Sequence, residues 1–120
     1  MTLEKIFDEI FNIDINIRYI GIYRNGKLYG KVRKGLKTYL DEKETKKSIT
    51  EAVRRWEERR EWEPKIGRPI YSQTMYEKVK RITMQIDEKT ILLLSTDIEA
   101  EHEKILLRIL DFKKKIIDSS

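Results

Sequence analysis

Residues 17–33 read IRYIGIYRNGKLYGKVR, and this stretch decides the fold. Two runs rich in β-branched and aromatic residues flank the pair Asn25-Gly26. Asn-Gly is the strongest short-range signal for a β-hairpin, because both central residues of a type I′ turn need a positive φ. We therefore predict a hairpin with a two-residue loop, in which Gly21 lies opposite Gly30.

Alternation along the two strands assigns the side chains of this hairpin to two faces. One face holds Tyr19, Gly21, Tyr23, Leu28, Gly30 and Val32, and we expect it to be the core face. The other face holds Arg18, Ile20, Ile22, Arg24, Lys27, Tyr29, Lys31 and Arg33. The paired glycines leave a shallow place where either a packed helix or a small ligand can approach the backbone closely.

Length and composition restrict the class of protein. With 120 residues the chain is expected to form one domain, residues 1–120. No apolar run is long enough to span a membrane, and acids interrupt the apolar pattern of the first residues, so no signal peptide is expected. The absence of Cys excludes disulfides, thiolate chemistry and the usual zinc sites. We expect a cytoplasmic protein.

Helical periodicity predicts three helices. The first spans about Thr2 to Asn12, with Thr2 as the N-cap. The second begins after Asp41, which forms a capping box with Glu44, and runs to Glu63 before Pro64 and Gly67 end it. Its apolar stripe consists of Ile49, Ala52, Val53 and Trp56.

Interleaved charges cover the remaining faces of this middle helix. Five glutamates offset four arginines there, mostly at helix-pairing spacings, so we expect a solvated face with its own ion pairs. The arginines are Arg54, Arg55, Arg59 and Arg60, and the glutamates are Glu51, Glu57, Glu58, Glu61 and Glu63.

The last helix is predicted to start at Thr96 or Asp97, with acids early and lysines late, as the helix dipole favours. Its inner stripe is expected to consist of Ile98, His102, Ile105, Leu106, Ile109, Phe112 or Lys113, Ile116 and Ile117.

Three further strands are predicted, at Pro69–Tyr76, Val79–Ile86 and Thr90–Thr96. The last of them and the first strand of the hairpin are apolar on both faces, so we place them at the centre of the sheet. The predicted fold is an α+β, three-layer domain with element order α-β-β-α-β-β-β-α. Its five-stranded antiparallel sheet has the order 2-1-5-4-3, with the terminal helices on one face and the middle helix on the other.

This order of elements resembles the roadblock/longin/profilin-like superfamily. More closely, residues 17–110 are similar to a family of small uncharacterised archaeal proteins, mainly from ammonia-oxidising lineages. The motifs that carry the resemblance are IRYIG at 17–21, NGK at 25–27, ETKKS at 44–48, PKIG at 64–67, YEKVKRIT at 76–83 and AEHEKI at 100–105. The resemblance implies the fold but no established activity. Roadblock-like domains commonly dimerise and act as platforms for small GTPases or filament partners, and here this is superfamily analogy alone.

Nothing in the sequence favours catalysis, and we predict a protein that is not an enzyme and has no cofactor or metal. The only histidine, His102, lies on the last helix, where a packing or capping role is the usual one. Carboxylates stand beside Lys and Arg on helix surfaces, and no glycine-rich phosphate loop is present.

The charge distribution suggests a surface for a partner. No acid occurs between Asp14 and Asp41, and this span contains a basic strip with interleaved tyrosines. The candidate contacts to a polyanion or another partner are Arg18, Arg24, Lys27, Tyr29, Lys31, Arg33, Lys34 and Lys37. Alternatively, the same charges protect a sheet edge or pair with the glutamates of the middle helix.

Three hypotheses for function follow. The first is a protein-interaction or regulatory scaffold, homodimeric and bound to an unidentified protein, with Trp56 as either a core residue or an interface anchor. Its predicted dimer interface consists of Ile49, Val53, Trp56, Arg60, Tyr71, Gln73 and Met75. The second is a domain that binds nucleic acid or another polyanion through residues 17–37. The third is a small-ligand sensor with a pocket over Gly21 and Gly30.

Overall fold

A computed structural model describes residues 2–119 of the chain. Its elements are, in order, α1 (Leu3–Phe11), β1 (Ile17–Arg24), β2 (Lys27–Val32), α2 (Glu42–Arg59), a 3₁₀ turn (Arg60–Trp62), α3 (Glu63–Ile66), β3 (Tyr71–Met75), β4 (Val79–Asp87), β5 (Thr90–Asp97) and α4 (His102–Ile117). Within residues 2–119 no helix is both long enough and apolar enough to cross a membrane.

The five strands form one antiparallel sheet of order β2-β1-β5-β4-β3, which confirms the predicted order. The hairpin register is also as predicted, with Gly21 paired to Gly30. The turn residues Asn25 and Gly26 have φ values of 51° and 80°, as a type I′ turn requires. The two doubly apolar strands, β1 and β5, lie side by side at the centre of the sheet, because only covered strands can be apolar on both faces.

Helices cover both faces of the sheet. The main core lies between the sheet and the terminal helices α1 and α4, and a smaller cluster lies between the sheet and α2. The hairpin contributes Ile20 and Ile22 to the main core, whereas Tyr19 packs only at the margin of the smaller cluster. The prediction that the Tyr19 face is the core face was therefore wrong. The Ile20 face is covered by two helices, α1 and α4, and is therefore buried more completely than the Tyr19 face, which α2 alone covers.

The ends of the first two helices follow their capping residues. The hydroxyl oxygen of Thr2 accepts a hydrogen bond from the backbone N–H of Lys5, and Asp41 and Glu44 form the predicted capping box. α2 ends at Arg59, before the predicted Glu63. Pro64 does not end the helical structure as predicted, because the 3₁₀ turn and α3 keep the chain helical as far as Ile66. Proline is tolerated there, since the N–H groups of a helix's first turn need no partner within the helix. Helical structure ends at Gly67, whose φ is 88°.

The last helix begins later than predicted, at His102. Thr96 and Asp97 instead continue β5, where Thr96 is fully buried and the backbone N–H of Asp97 donates to the carbonyl of Asn16. Pairing with two neighbouring strands thus overrides the local preference for a helix start. The buried stripe of α4 consists of Ile105, Leu106, Ile109 and Ile116, whereas Ile98 and Ile117 are exposed, against prediction.

The charged faces of α2 do not form the expected ion pairs. Within residues 2–119 no ion pair shorter than 4.0 Å involves an α2 side chain. Arg59 instead lies 5.0 Å from the centre of the Trp56 ring and donates a hydrogen bond to Ser72 on β3. A solvated ion pair gains little over hydration, which explains why these side chains stay apart.

Candidate interaction surface

Arg33, from the predicted basic strip, ties together the backbone that leads from α1 into β1. Its guanidinium donates hydrogen bonds of 2.7 Å to the carbonyl oxygens of Phe11, Asp14 and Ile17. It also lies 5.0 Å from the centre of the Phe11 ring. The rigid planar fork of arginine suits such a site, because one side chain satisfies several carbonyls at the end of a helix.

Arg24 has a similar role at the other end of the chain. Its guanidinium donates to the carbonyl oxygens of Ile116 and Ser119 and to the hydroxyl of Ser119. These carbonyls lie at the C-terminal end of α4, where the helix dipole favours a cation. The side chain therefore docks the last helix on β1.

Lys31 and Arg18 have acidic partners. The ammonium of Lys31 bonds to Glu4 and Asp8 of α1, and the hydrogen bond to Glu4 raises the pKa of Lys31. Arg18 pairs with Asp97 at 3.0 Å. The alternative that the strip pairs with the glutamates of the middle helix was wrong, since Lys31 lies on the sheet face that α1 covers.

Four members of the predicted strip, Lys27, Tyr29, Lys34 and Lys37, are exposed. The strip is thus divided into four residues that have partners within the chain and four that face solvent. Only the exposed set can meet a partner without breaking contacts within the chain.

The glycine pair of the hairpin is covered by a side chain of the hairpin itself. The phenol ring of Tyr19 lies against Gly30, so a Cβ at Gly30 would overlap it, and a Cβ at Gly21 would lie 3.2 Å from the same ring. Both predicted occupants of this place, a packed helix or a small ligand, are therefore replaced by a side chain of the hairpin itself. Burial raises the pKa of the Tyr19 hydroxyl.

Three residues of the predicted dimer interface lie on the face of α2 that packs against the sheet. Ile49 and Trp56 are fully buried and Val53 is half-buried. The indole N–H of Trp56 donates a 2.9 Å hydrogen bond to the hydroxyl of Thr83. Trp56 is a core residue, and neither it nor Ile49 is available to a second molecule.

The remaining members of the predicted interface surround the outer strand β3. Tyr71 and Met75 are exposed, Gln73 is half-buried, and Arg60 is exposed on the 3₁₀ turn. The flanking Ile70 and Tyr76 are also exposed. They bound the outer strand near Ile70 to Tyr76 through which we predicted the dimer to form, and β3 itself is shorter than the predicted strand Pro69–Tyr76.

The two edges of the sheet differ in charge. β2 carries Lys27 and Lys31, and lysines on an edge strand oppose pairing with another chain. β3 contains no charged residue at all within Tyr71–Met75. An uncharged, exposed edge strand is a template for strand pairing. The β3 edge is therefore the candidate interaction surface.

A groove of about 460 Å³ continues this surface at the beginning of β3. β3 pairs with β4 only as far as Met84, so the stretch Gln85–Asp87 has no strand on that side. Ile70 and Leu110 give the groove apolar walls, and Arg60 and Lys113 contribute charge at its sides.

The comparisons with known proteins concern the fold. No protein-family model matches the sequence, and no curated protein matches it. Among solved structures, a Roadblock/LC7 domain from Streptomyces avermitilis superposes with a TM-score of 0.75 at 10% identity, covering 98% of this chain and 96% of that one. The fold is that of a roadblock domain.

Two MglB structures share the roadblock fold. One, described as MglB with a tetrameric arrangement, has a TM-score of 0.76 at 12% identity and covers 94% of this chain and 83% of that one. The other, the gliding protein MglB from Thermus thermophilus, has a TM-score of 0.73 at 13% identity, covering 92% and 82%. At these identities the likeness establishes the fold alone.

The histidine for which we predicted a packing or capping role lies at the start of the last helix. His102 is the first residue of α4 and is half-buried. Across residues 2–119 no group of three or more His, Asp or Glu side chains is close enough together to hold a metal ion.

Proposed function

We propose that this chain is a non-enzymatic interaction domain that forms a homodimer by pairing β3 with β3 of a second copy, and that the dimer binds another protein. The observation that carries the proposal is the uncharged edge of β3 with its exposed Tyr71 and Met75. The tetrameric arrangement of the MglB neighbour supports self-association of this fold. Kinship with the archaeal family and a cytoplasmic location remain predictions.

A two-fold axis restricts the register of such a pairing, and centring it on the middle of β3 pairs the whole strand. In an isologous interface residue i meets residue j and j meets i, and Gln73 is the central residue of the five-residue strand. Antiparallel pairing about Gln73 puts Tyr71 opposite Met75 of the second copy and the two Gln73 side chains next to each other. The side-chain oxygen of Gln73 is buried and has no hydrogen-bond partner among residues 2–119. The amide of the second Gln73 is a suitable donor for it.

Opposite charges at position 73 test this register. We expect the wild-type chain to have the mass of a dimer by light scattering at physiological salt. Gln73→Glu and Gln73→Lys, each alone, are expected to be monomeric, because like charges directly opposite each other on paired strands repel. An equimolar mixture of the two variants is expected to recover the dimer.

The matched control is Leu107→Glu, which changes an equally exposed apolar residue on α4: Leu107 is 65% exposed and Met75 on β3 is 62% exposed. This variant should remain a dimer. A wild-type chain that is monomeric at all concentrations would overturn the proposal, and a dimer unaffected by charges at position 73 would move the interface away from β3.

A second candidate function, binding of a polyanion, is supported by the exposed lysines Lys27, Lys34 and Lys37 and the net charge of +5. Its test is the salt dependence of binding to a DNA duplex, compared between the wild type and Lys34→Glu/Lys37→Glu. A steep salt dependence that becomes shallower in the variant would support it, because each phosphate contact adds to the slope. A flat dependence would exclude it.

A further inference from the structure

A small cavity lies between the sheet and the connector that precedes α2. Its floor contains Tyr19, Ser95 and Arg81, which are direct neighbours on β1, β5 and β4. Its roof is the segment 37–40, which Arg18 fixes by donating a hydrogen bond to the carbonyl of Lys37. The cavity is thus lined by parts of the chain that come together only in the folded state.

Arg81 contributes an unneutralised positive charge to this cavity. No carboxylate lies within 4.0 Å of its guanidinium in the described part of the chain. Of its five N–H donors, one bonds to the hydroxyl of Ser48 at 2.9 Å. Burial lowers the pKa of Arg81, which indicates that the charged form lacks the hydration it would have in water.

Three hydroxyl groups with no side-chain hydrogen bond within residues 2–119 line the same cavity as this guanidinium. They belong to Tyr19, Thr38 and Ser95, whereas the hydroxyl of Thr45 is bonded to the carbonyl of Asp41. The charge of Arg18 is matched by Asp97, but Lys37 adds a further cation at the wall. The cavity therefore combines net positive charge with unused donors.

We propose that this cavity binds a small oxyanion of the phosphate class, held by the guanidinium of Arg81 and by the hydroxyls of Thr38 and Ser95. Arginine and phosphate form charge-assisted, often bidentate hydrogen bonds, which is the pairing that a half-buried cation without an acid favours. The volume, about 50 Å³, exceeds what a single water needs, and the cavity is partly open to solvent, so the rest of a larger molecule could lie outside it. The anion is either free phosphate or the phosphate end of a larger molecule.

The test uses the 120-residue chain and inorganic phosphate at constant ionic strength, with chloride as the balancing ion. The Nε–Hε signal of Arg81 in a ¹H–¹⁵N spectrum is expected to shift in a saturable manner, and the thermal midpoint to rise with phosphate concentration, because a ligand of the native state stabilises it. Arg81→Gln should abolish the rise of the thermal midpoint. Arg68→Gln, which alters an exposed arginine outside the cavity, should retain both responses.

Thr38→Val keeps the test decisive if Arg81→Gln does not fold. Thr38 is exposed on the connector, and loss of a hydrogen bond to a charged ligand should weaken binding about tenfold. A parallel titration with O-phosphoserine separates the two sources: binding of both ligands supports a tethered phosphate, and binding of phosphate alone supports the free ion. The proposal would be overturned if the Arg81 signal did not shift with phosphate, or if the thermal midpoint of Arg81→Gln rose with phosphate as much as that of the wild type. This inference does not depend on the dimer.

Discussion

The phenol ring of Tyr19 on β1 lies against Gly30, its diagonal neighbour on β2. The hairpin thus uses an aromatic ring of its own to cover a place without side chains, and Gly30 is needed because the ring occupies the space of a Cβ there. Tyr19 also lines the cavity next to Arg81, so the side chain that covers Gly30 forms one boundary of that cavity.

Gly30→Ala is expected to destabilise the chain by about 1–3 kcal/mol, the usual cost of overpacking. Gly21→Ala should cost less, since its Cβ would meet the ring at 3.2 Å without overlapping it. Urea unfolding measures both. In the Tyr19→Phe background the cost of Gly30→Ala should shrink, because the hydroxyl is the atom nearest to the added Cβ. An unchanged stability of Gly30→Ala would show that the ring is free to move.

Arg33→Lys is expected to lower the free energy of unfolding by about 2 kcal/mol, although the charge is conserved. A lysine ammonium cannot reach three carbonyl oxygens with the geometry of the guanidinium fork, so buried acceptors lose their donor. Chemical denaturation of Lys34→Ala, which alters the exposed neighbour of Arg33, should give a value within about 0.5 kcal/mol of the wild type. Equal stability of Arg33→Lys and the wild type would contradict this structural role.

Trp56→Phe is expected to lower the free energy of unfolding by about 1–3 kcal/mol, because the hydroxyl of Thr83 loses its buried partner. The mass of this variant by light scattering should equal that of the wild type. Trp62→Phe is the control, since Trp62 is 54% exposed while Trp56 is 1% exposed. If Trp56→Phe kept full stability but altered the mass, Trp56 would act as an interface anchor and not as a core residue.

Stability is expected to fall in alkali in a manner that depends on Tyr19. Burial raises the pKa of this hydroxyl above its ordinary value of 10.0, an effect that Arg81 opposes and Glu42 reinforces. The Tyr19 hydroxyl therefore ionises at a lower pH in the unfolded chain than in the folded chain. The stability that the protonated hydroxyl contributes is fully present below pH 10 and is lost as the pH rises from there through the folded-state pKa. The free energies of unfolding of the wild type and Tyr19→Phe are to be measured from about pH 8 to about pH 11. The difference between them should be constant below pH 10, and above pH 10 it should shift to the disadvantage of the wild type. A difference that is independent of pH would contradict the raised pKa.

Local signals predicted much of the fold. The turn at Asn25-Gly26 and the capping box of Asp41 and Glu44 depend on residues a few positions apart, so their chemistry is visible in the sequence. The strand order followed from burial, because a strand that is apolar on both faces has to be covered on both. For the same reason the edge position of β3, and with it the candidate interface, could be predicted.

The tertiary structure decided what depends on partners distant in the chain. Whether Trp56 is a core residue depends on where Thr83 lies, and whether Lys31 is free depends on α1 packing over β2. The start of α4 depends on how far β5 pairs with its neighbours, and the cavity beside Arg81 exists only because three strands and a connector meet. Hydrophobic alternation fixes which side chains share a face, but the identity of the atoms opposite them is set by packing, which no single segment encodes.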